Sequence, residues 1–287
     1  MQLELDEIRR RTNPFTASNL AVTGLFLVLV AWSWIATEMS LPALLKGWGN
    51  MLVYLRGNPA IADSGFLPPN LGRPGIVRYL LSMLETVQMA FLALLLSIAI
   101  AFPLSFLASR NTLEIVLPGD RPWVRAARVA LYTSIRFLAN LARSINELVW
   151  ALVFVSAVGL GPMPGILALG VHTSGVLIKL FSEGIEGIQR EPVDALTATG
   201  AGFVKAIRYG VVPQITPFFV SMTLYRFESD VRSATILGFT GAGGIGVYLY
   251  DKLRSFENRD VTTILIIVVV TVAAIDRLSA AIRKRTS

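Results

Sequence analysis

The residue types that most often perform catalysis or bind metal ions are scarce in this chain. Its 287 residues include no cysteine and a single histidine, His172. Disulfides and thiolate metal sites are therefore excluded, and a histidine-based metal site or catalytic triad is disfavoured. Because His172 lies in an apolar segment beside Thr173 and Ser174, we expect it to be a hydrogen-bonded packing residue. The sequence predicts neither a catalytic residue nor a metal site.

Two groups of charged residues suggest a different chemistry, the attraction of an anion. Each group lies inside an otherwise apolar segment, where ionisable side chains usually face a cavity or a partner of opposite charge. The groups are Arg143 with Glu147, and Arg226 with Glu228, Asp230 and Arg232. An arginine guanidinium can donate two parallel hydrogen bonds to a phosphate-like group. Arg226 and Arg232 are thus candidates to line or flank a path for an oxyanion.

The same residues have a second interpretation, in which they neutralise one another. Residues four apart lie on one face of a helix. The pairs with this spacing are Arg143–Glu147, Arg226–Asp230 and Glu228–Arg232. Because positive and negative charges balance in these groups, both interpretations stay open. The pathway candidates are therefore Arg143, Glu147, Arg226, Glu228 and Arg232.

A glycine-rich stretch, 241–246, satisfies the dinucleotide-binding pattern G-x-G-x-x-G. That pattern indicates a nucleotide site only between a strand and a helix, with an acidic residue about twenty positions later. Here the stretch follows an apolar segment, and the acid at that distance, Asp260, precedes another apolar segment. We therefore expect a tight turn on the outer side of a membrane and no nucleotide site.

The elements that must position these residues are membrane-spanning helices. The chain is 54% hydrophobic and 16% charged, whereas a soluble domain carries about 25% charged residues. Runs of about twenty apolar residues can cross a hydrocarbon core roughly 30 Å thick. Such runs occur at 20–36, 80–108, 129–158, 163–181, 211–236 and 261–275, the last extending to residue 282. The sequence predicts an all-α membrane protein of about six transmembrane helices.

The distribution of basic residues predicts the orientation of these helices. Six spans place both termini on one side, and the segments on that side hold thirteen Lys and Arg residues against seven on the other. Because cytoplasmic loops are enriched in Lys and Arg, we expect an N-in, C-in topology. The net charge of +7 is scattered between apolar runs rather than clustered, so nucleic acid is not an expected partner.

These spans divide the chain into five parts. We expect the long outer loop that follows the first helix to carry a short helix at the membrane interface. The parts are a cytoplasmic segment 1–18, a first transmembrane helix 19–37, an outer loop 38–78, a permease core 79–282 with five further helices and an inner loop 182–210, and a cytoplasmic tail 283–287.

The inner loop contains the most specific local pattern. Pro192 suits the first turn of a helix, where its missing N–H costs nothing, and the Asp194 carboxylate then lies near the positive end of that helix. Gly200 is suited to end this helix after about two turns. We predict a second helical stretch over 203–209, and Pro213 follows where the fifth span begins.

This loop resembles the cytoplasmic loop of ABC importer permeases, which has the pattern Glu-Ala-Ala, three residues, Gly, nine residues, Ile-x-Leu-Pro. The residues at the defined positions here are Asp194, Ala195, Leu196, Gly200, Gly210, Val212 and Pro213. The spacing matches throughout, although four residue types differ. In that family the loop forms a coupling helix that docks into a separate ATPase. The resemblance implies ATPase-coupling roles for Asp194, Ala195, Gly200 and Pro213.

Further stretches resemble one branch of that family, the phosphonate importer permeases. They are 146–152, 158–162, 172–173 with 179–183, 208–214, 224–228 and 238–246. The resemblance implies a type I permease fold in the bacterial cytoplasmic (inner) membrane, surrounded by lipid. It implies as partners two ABC ATPase subunits, a periplasmic or lipid-anchored substrate-binding protein and a second copy of this chain. The implied substrate is a phosphonate or a related oxyanion such as phosphite or phosphate.

An ATP-binding motif is missing from the sequence, which contains no G-x-x-x-x-G-K-[ST] loop. We therefore expect the chain to be neither an enzyme nor the holder of a cofactor, with ATP bound by the partner subunit. Two alternatives stay open. One is an ion-coupled secondary carrier, which the lack of an evident internal repeat disfavours. The other is an ABC permease for another small solute, such as an amino acid.

Overall fold

The computed structural model describes residues 17–57 and 65–286, and every regular element within those ranges is helical. Nearly all of the predicted cytoplasmic segment 1–18, with its three consecutive arginines at 9–11, lies outside the described residues. The chain divides into two compact units, Met1–Leu55 and Arg56–Ser287, and each is described by itself.

Among its described residues, the first unit contains two helices, α1 (Ala17–Ala36) and α2 (Leu41–Arg56). With 20 residues, α1 is about 30 Å long, enough to cross a hydrocarbon core. Its apolar side chains are exposed, Leu25 and Phe26 by more than 60%, as expected for a helix surrounded by lipid. α2 lies in the predicted outer loop and confirms that this loop carries a helix; the exposed Trp48 suits the predicted position at the membrane interface.

The second unit contains ten further α-helices within residues 65–286. They are α3 (Arg73–Leu107), α4 (Arg110–Val116), α5 (Pro122–Ser144), α6 (Glu147–Val158), α7 (Pro162–Glu186), α8 (Glu191–Ala198), α9 (Phe203–Ala206), α10 (Val212–Leu237), α11 (Ile245–Arg254) and α12 (Asn258–Thr286). A π-helical turn, Ile207–Val211, joins α9 to α10, and a short 3-10 turn, Gly238–Thr240, follows α10. α3 begins at Arg73, inside the predicted outer loop 38–78.

The predicted third span, 129–158, is wrong as a single continuous helix. α5 ends at Ser144, α6 begins at Glu147, and the two helices are bent by 89° across this break. The predicted placement of Arg143 and Glu147 on one helix face is therefore also wrong, because the two residues belong to different helices. With 12 residues, α6 is about 18 Å long, too short to cross the hydrocarbon core by itself.

Two hydrogen bonds explain why the chain can bend here. The Asn146 side-chain oxygen accepts a hydrogen bond from the Leu148 N–H at 2.9 Å, as an N-cap residue does at the start of a helix. The Trp150 indole N–H donates to the Ala142 carbonyl at 3.0 Å and satisfies an acceptor that the end of α5 leaves open. Both helix ends are thus completed by side chains, with no proline or glycine between them.

Four helices within the described residues are long and apolar enough to cross a membrane: α1, α3, α7 and α12. The bent pair α5 and α6 is a fifth if it forms one span. The remaining predicted span, 211–236, is the 26-residue helix α10, whose polar and charged residues make it less apolar. Its Glu228 and Asp230 are buried among neighbouring helices, so protein rather than water shields these charges.

α7 is the central helix of the second unit and packs against α3, α5, α6 and α10. Its Leu177, Phe181 and Ile185 are almost completely buried. The Phe181 ring stacks on the Phe219 ring of α10 with the ring centroids 3.8 Å apart. The residues of α7 that face α5 and α10 are therefore held in fixed positions.

Three glycines of α7, Gly165, Gly170 and Gly175, allow this close packing. A Cβ atom at Gly175 would lie 2.6 Å from the Ala139 carbonyl oxygen and 2.9 Å from the Arg143 backbone nitrogen. Both distances are shorter than a carbon atom tolerates, so α5 and α7 are in contact through their backbones at this point.

Replacing Gly175 by valine is expected to lower the free energy of unfolding by about 1–3 kcal/mol, the usual cost of overpacking a core. The matched control is Gly24→Val on α1, because a Cβ atom at Gly24 would have no neighbour within 4 Å. Thermal unfolding of the purified proteins in detergent measures both effects. Equal melting temperatures for the two variants would contradict the close α5–α7 contact.

Candidate coupling segment and buried charge cluster

The coupling segment, defined here as residues 187–214, begins with the predicted short helix α8. Pro192 and Asp194 lie in its first turn, as the sequence predicts, and the carboxylate there interacts favourably with the helix dipole. Val193 is the buried residue of α8. A Cβ atom at Gly210 would lie 3.0 Å from the Val193 side chain, so α8 packs closely on the π-helical turn.

Gly200 ends α8 by adopting a left-handed backbone conformation, with φ of 79°. The Gly200 N–H donates to the Thr197 carbonyl at 2.9 Å, and the Ala201 N–H donates to the Leu196 carbonyl at 3.2 Å. These bonds satisfy carbonyl groups at the end of the helix. The predicted helix end is confirmed, and a residue with a side chain would be strained at this position.

The second half of the segment runs directly into α10. The predicted second helical stretch is present as α9, which the π-helical turn continues, and Pro213 lies in the first turn of α10. The next residue, Gln214, donates to the Gly210 carbonyl at 2.6 Å and accepts from the Gln189 N–H at 3.0 Å. Gln214 therefore ties the start of the segment to the start of α10, a role that local sequence does not reveal.

The segment is also tied to α4 and α7. Arg190 donates to the Asn111 side-chain oxygen at 2.6 Å, and the Asn111 amide donates to the Glu186 carbonyl at 3.0 Å. The Glu186 carboxylate accepts from the Arg110 N–H at 3.1 Å and pairs with Arg136 of α5 at 2.9 Å. The sequence contains no signal for this network. Arg190 and Glu186 each lie more than seventy residues from Asn111 along the chain.

The outward surface of the coupling segment includes small residues and large apolar side chains. Asp194 and Ala195 of α8 are exposed, and the neighbouring Phe203, Val204 and Tyr209 are between 51% and 64% exposed. A cavity of about 410 Å³ opens beside α8, with residues of α4 on its other side. Exposed apolar groups next to small residues are typical of a surface that another protein covers.

A buried charge cluster joins α10 to α7. The Arg226 guanidinium lies 3.0 Å from the Asp230 carboxylate and donates to the Thr173 hydroxyl at 3.1 Å. The Thr173 hydroxyl donates to the same carboxylate at 2.8 Å. Thr173 and Asp230 are fully buried, and the Arg226 side chain is 13% exposed. The predicted Arg226–Asp230 pair on one helix face is confirmed.

The bend between α5 and α6 is attached to α10 and α7 through Glu147. Its carboxylate accepts from the Ser233 hydroxyl at 2.6 Å and lies 3.7 Å from the His172 ring. The other ring nitrogen of His172 lies 2.9 Å from the Ile145 carbonyl. His172 thus makes the packing and hydrogen-bonding contacts that the sequence predicts for it, and Glu147 is directed at α10 rather than at Arg143.

The remaining charges of α10 face α12 instead. Glu228 lies 3.9 Å from Arg232, the predicted neighbour, but only 2.8 Å from Arg283. Arg232 lies 3.1 Å from Asp276 and is about half exposed. The structure therefore places Arg226 and Arg232 against different helices, and it does not bring these two pathway candidates together within one chain.

Arg143 lies at the end of α5, where its Nε atom donates to the Asn140 side chain at 2.9 Å. Both residues line a cavity of about 290 Å³ between α5 and α7, together with Arg136, Lys179 and Glu183. Three basic side chains, those of Arg136, Arg143 and Lys179, therefore surround one cavity. Of the pathway candidates, only Arg143 borders it.

The glycine-rich stretch 241–246 forms the predicted tight turn between α10 and α11. The Gly161 N–H donates to the Gly241 carbonyl at 3.0 Å, and the Ile245 N–H donates to the Thr86 hydroxyl at 2.8 Å. These bonds hold the turn against α3 and the start of α7. In the last turn of α11, the Lys252 ammonium donates to the Glu257 carboxylate at 2.7 Å, and this hydrogen bond raises the pKa of Lys252.

The comparisons with known proteins identify related sequences over most of the chain. Residues 123–287 match the family described as binding-protein-dependent transport system inner membrane component. The phosphite transport system permease protein PtxC of Stutzerimonas stutzeri is 33% identical over 232 residues, 80% of this chain and 79% of that protein. The putative phosphite transport system permease protein HtxC of the same species is 35% identical over 278 residues, 96% of this chain and 88% of that protein.

Solved structures share the fold at lower sequence identity. A chain of the MetNI methionine ABC transporter in an inward-facing conformation superposes with a TM-score of 0.63 and 21% identity, covering 76% of this chain and all of that chain. The predicted type I importer permease fold is confirmed by this likeness.

Breaking the buried pair is expected to destabilise the protein. Arg226→Met leaves the Asp230 carboxylate buried without its counter-charge, which typically costs about 3–5 kcal/mol of unfolding free energy. Replacing both residues, with Asp230→Leu added, is expected to recover most of that loss. The control is Arg125→Met, whose partner Asp120 is 88% exposed and whose loss costs about 0–1 kcal/mol. If chemical unfolding of the Arg226 and Arg125 variants gives the same value, the cluster is not a stabilising element.

Proposed function

The chain belongs to the binding-protein-dependent transport system inner membrane components, and on this premise we propose that it is the permease subunit of an ABC importer for a phosphonate or a related oxyanion. Phosphite and phosphate belong to the same chemical class. The observation that carries the proposal is the 35% identity to a putative phosphite permease over 96% of the chain. As a member of this family, the chain is a multi-pass protein of the inner membrane.

Membership of the family implies two kinds of partner, an ATPase and a substrate-binding protein. The proposed assembly contains two copies of this chain, two ATPase subunits that bind and hydrolyse ATP, and a periplasmic or lipid-anchored binding protein that delivers the oxyanion. A family that depends on a binding protein argues against the ion-coupled carrier. The methionine transporter is similar in fold alone, so it does not favour an amino acid as the substrate.

The proposed coupling role of α8 follows from its connections. Ala195 lies on its exposed surface, where a small residue allows a partner to approach closely. Val193 packs on the π-helical turn, and Gln214 holds that turn to the start of α10. A push on α8 by the ATPase would therefore move α10, and the Arg226–Asp230–Thr173 cluster would transmit the movement to α7. With N-in, C-in topology, the coupling segment faces the cytoplasm, where ATP is available.

The first experiment tests the substrate class. Proteoliposomes that contain the permease and its ATPase are supplied with the binding protein and ATP, and uptake of labelled phosphite, methylphosphonate, phosphate and methionine is compared. We expect uptake of at least one phosphorus oxyanion and none of methionine, with uptake lost when the binding protein or ATP is omitted. Uptake of methionine alone would overturn the proposed substrate class.

The second prediction concerns coupling. A valine in place of Gly200 must adopt the left-handed backbone conformation, which costs about 1–2 kcal/mol and lowers the ratio of intact to disrupted loop roughly 5- to 30-fold. We expect Gly200→Val to lower uptake by up to that factor while the ATPase hydrolyses ATP at an undiminished rate. The matched control is Gly202→Val, because Gly202 has a φ of −64° and open space around its Cα atom. Normal uptake by the Gly200 variant would show that this helix end is not required for coupling.

A further inference from the structure

The cavity between α5 and α7 lies between two points where these helices touch. At one end the backbones meet at Gly175, where a Cβ atom would lie 2.6 Å from the Ala139 carbonyl oxygen. At the other end Arg136 pairs with Glu186 at 2.9 Å and donates to the Ala108 carbonyl at 3.0 Å. The space of about 290 Å³ is large enough for a small tetrahedral anion with water.

The guanidinium of Arg136 is already engaged, whereas the two terminal nitrogens of the Arg143 guanidinium are not. Arg136 contacts a carboxylate and a carbonyl, and its guanidinium also lies over the Tyr132 ring at 4.5 Å. In the part of the chain that the structure describes, Arg143 makes one side-chain hydrogen bond, from Nε to Asn140, and no carboxylate lies within 4.0 Å. Its two terminal nitrogens therefore remain available, and these are the groups that bind an oxyanion in a two-point manner.

Lys179 supplies a second cation with only a loose partner. Its Nζ atom lies 3.6 Å from the Glu183 carboxylate, and both side chains are more than 40% exposed. Ion pairs of this kind contribute little, because water competes for both groups. With the Arg136 charge neutralised by Glu186, the lining carries two available cations, Arg143 and Lys179, against one carboxylate, and so has a net positive charge.

We propose that Arg143, Asn140 and Lys179 form a binding site for a phosphate-like oxyanion on the half of the permease that adjoins the coupling segment. On α7, Lys179 lies six residues after Thr173, about 9 Å along the helix, so the site is separate from the buried cluster. The oxyanion comes either from the transported solute, in which case the site rests on the proposed function, or from the headgroup of an anionic phospholipid.

The charge pattern suits a site that binds and then releases its ligand. Glu183 can take back Lys179 when the anion leaves, so the ammonium always has a partner. A path for ions requires binding that is favourable but weak. Arg226 does not fit this role, because its guanidinium is already held by Asp230 and Thr173, and an anion would have to displace a buried carboxylate.

The test uses the purified permease–ATPase complex and labelled inorganic phosphate as the probe. We expect the double variant Arg143→Gln/Lys179→Gln to bind phosphate roughly 10- to 100-fold more weakly, the usual effect of losing charged hydrogen bonds, and to transport more slowly by a similar factor. Glu183→Gln is expected to bind phosphate more tightly, since a competing carboxylate is removed. The single variant Arg143→Lys is expected to retain part of the phosphate binding, because lysine keeps the positive charge.

Two controls separate binding from folding. Arg121→Gln/Arg125→Gln removes the same charge from exposed positions near the start of α5 and is expected to leave phosphate binding and uptake unchanged. Each variant is also checked for co-purification with the ATPase. If the Arg143/Lys179 variant binds and transports as the unmodified protein does, or if Glu183→Gln weakens binding, the proposed site is wrong.

The source of the oxyanion is decided in vesicles of phosphatidylcholine with and without phosphatidylglycerol. A solute site predicts the same uptake defect of the double variant in both vesicles. A lipid site predicts that the unmodified protein itself loses uptake in pure phosphatidylcholine. If the unmodified complex imports no phosphorus oxyanion but binds phosphate through Arg143, the proposed function fails and the site stands.

Discussion

The second unit of this protein depends on how α10 keeps its charged side chains out of lipid. A buried ion without a partner costs several kcal/mol, and Asp230 is fully buried. Its counter-charge Arg226 lies on α10 itself, and the hydrogen bonds of both residues to Thr173 fix α10 against α7 in both rotation and height. The hydrogen bond from Ser233 to Glu147 extends this constraint to the bend between α5 and α6. Apolar packing alone would allow these helices to slide past one another, whereas hydrogen bonds between specific residues do not.

The same helix that carries these charges also begins at the coupling segment. α10 has 26 residues and is about 39 Å long, and its first turn is held by Gln214 to the loop that precedes α8. A displacement of α8 must either move α10 as a rigid rod or break hydrogen bonds at its start. Because α10 cannot leave α7 without breaking the hydrogen bonds to Thr173 and exposing its own buried Arg226–Asp230 pair, the two helices are expected to move together. Under the proposed function, coupling by rigid-body motion would thus follow from where these polar contacts lie.

Local signals in the sequence predicted most helices and both ends of α8. Long apolar runs indicate α3, α7 and α12, and Pro192 and Gly200 act on the backbone of their own neighbourhood. The bend before Glu147 is not predicted because residues 129–158 form a run long enough for a single span, and Asn146, a suitable N-cap residue, is the local signal for the bend. The error in pairing Arg143 with Glu147 followed directly from that missed bend.

Contacts between distant parts of the chain could not be predicted from one sequence. The bonds from Arg190 to Asn111 and from Arg226 to Thr173 join residues 79 and 53 positions apart. Amides and hydroxyls are common in loops and helices, so neither Asn111 nor Thr173 is recognisable from the sequence as the partner of an arginine. The charge pattern of α10 showed that partners must exist, but only the packing of the helices determines which residues they are.

Whether a cation is already paired also decides whether it can bind and release a transported anion. A guanidinium that is buried with a carboxylate stabilises the fold, and it does so because the pair does not open. A transported anion must be released on every cycle, so the cations that meet it have to be partly hydrated and weakly paired, as Arg143 and Lys179 are. Such a site cannot by itself select strongly among similar oxyanions. Under the proposed function, selectivity therefore has to reside mainly in the binding protein, which can close around its ligand.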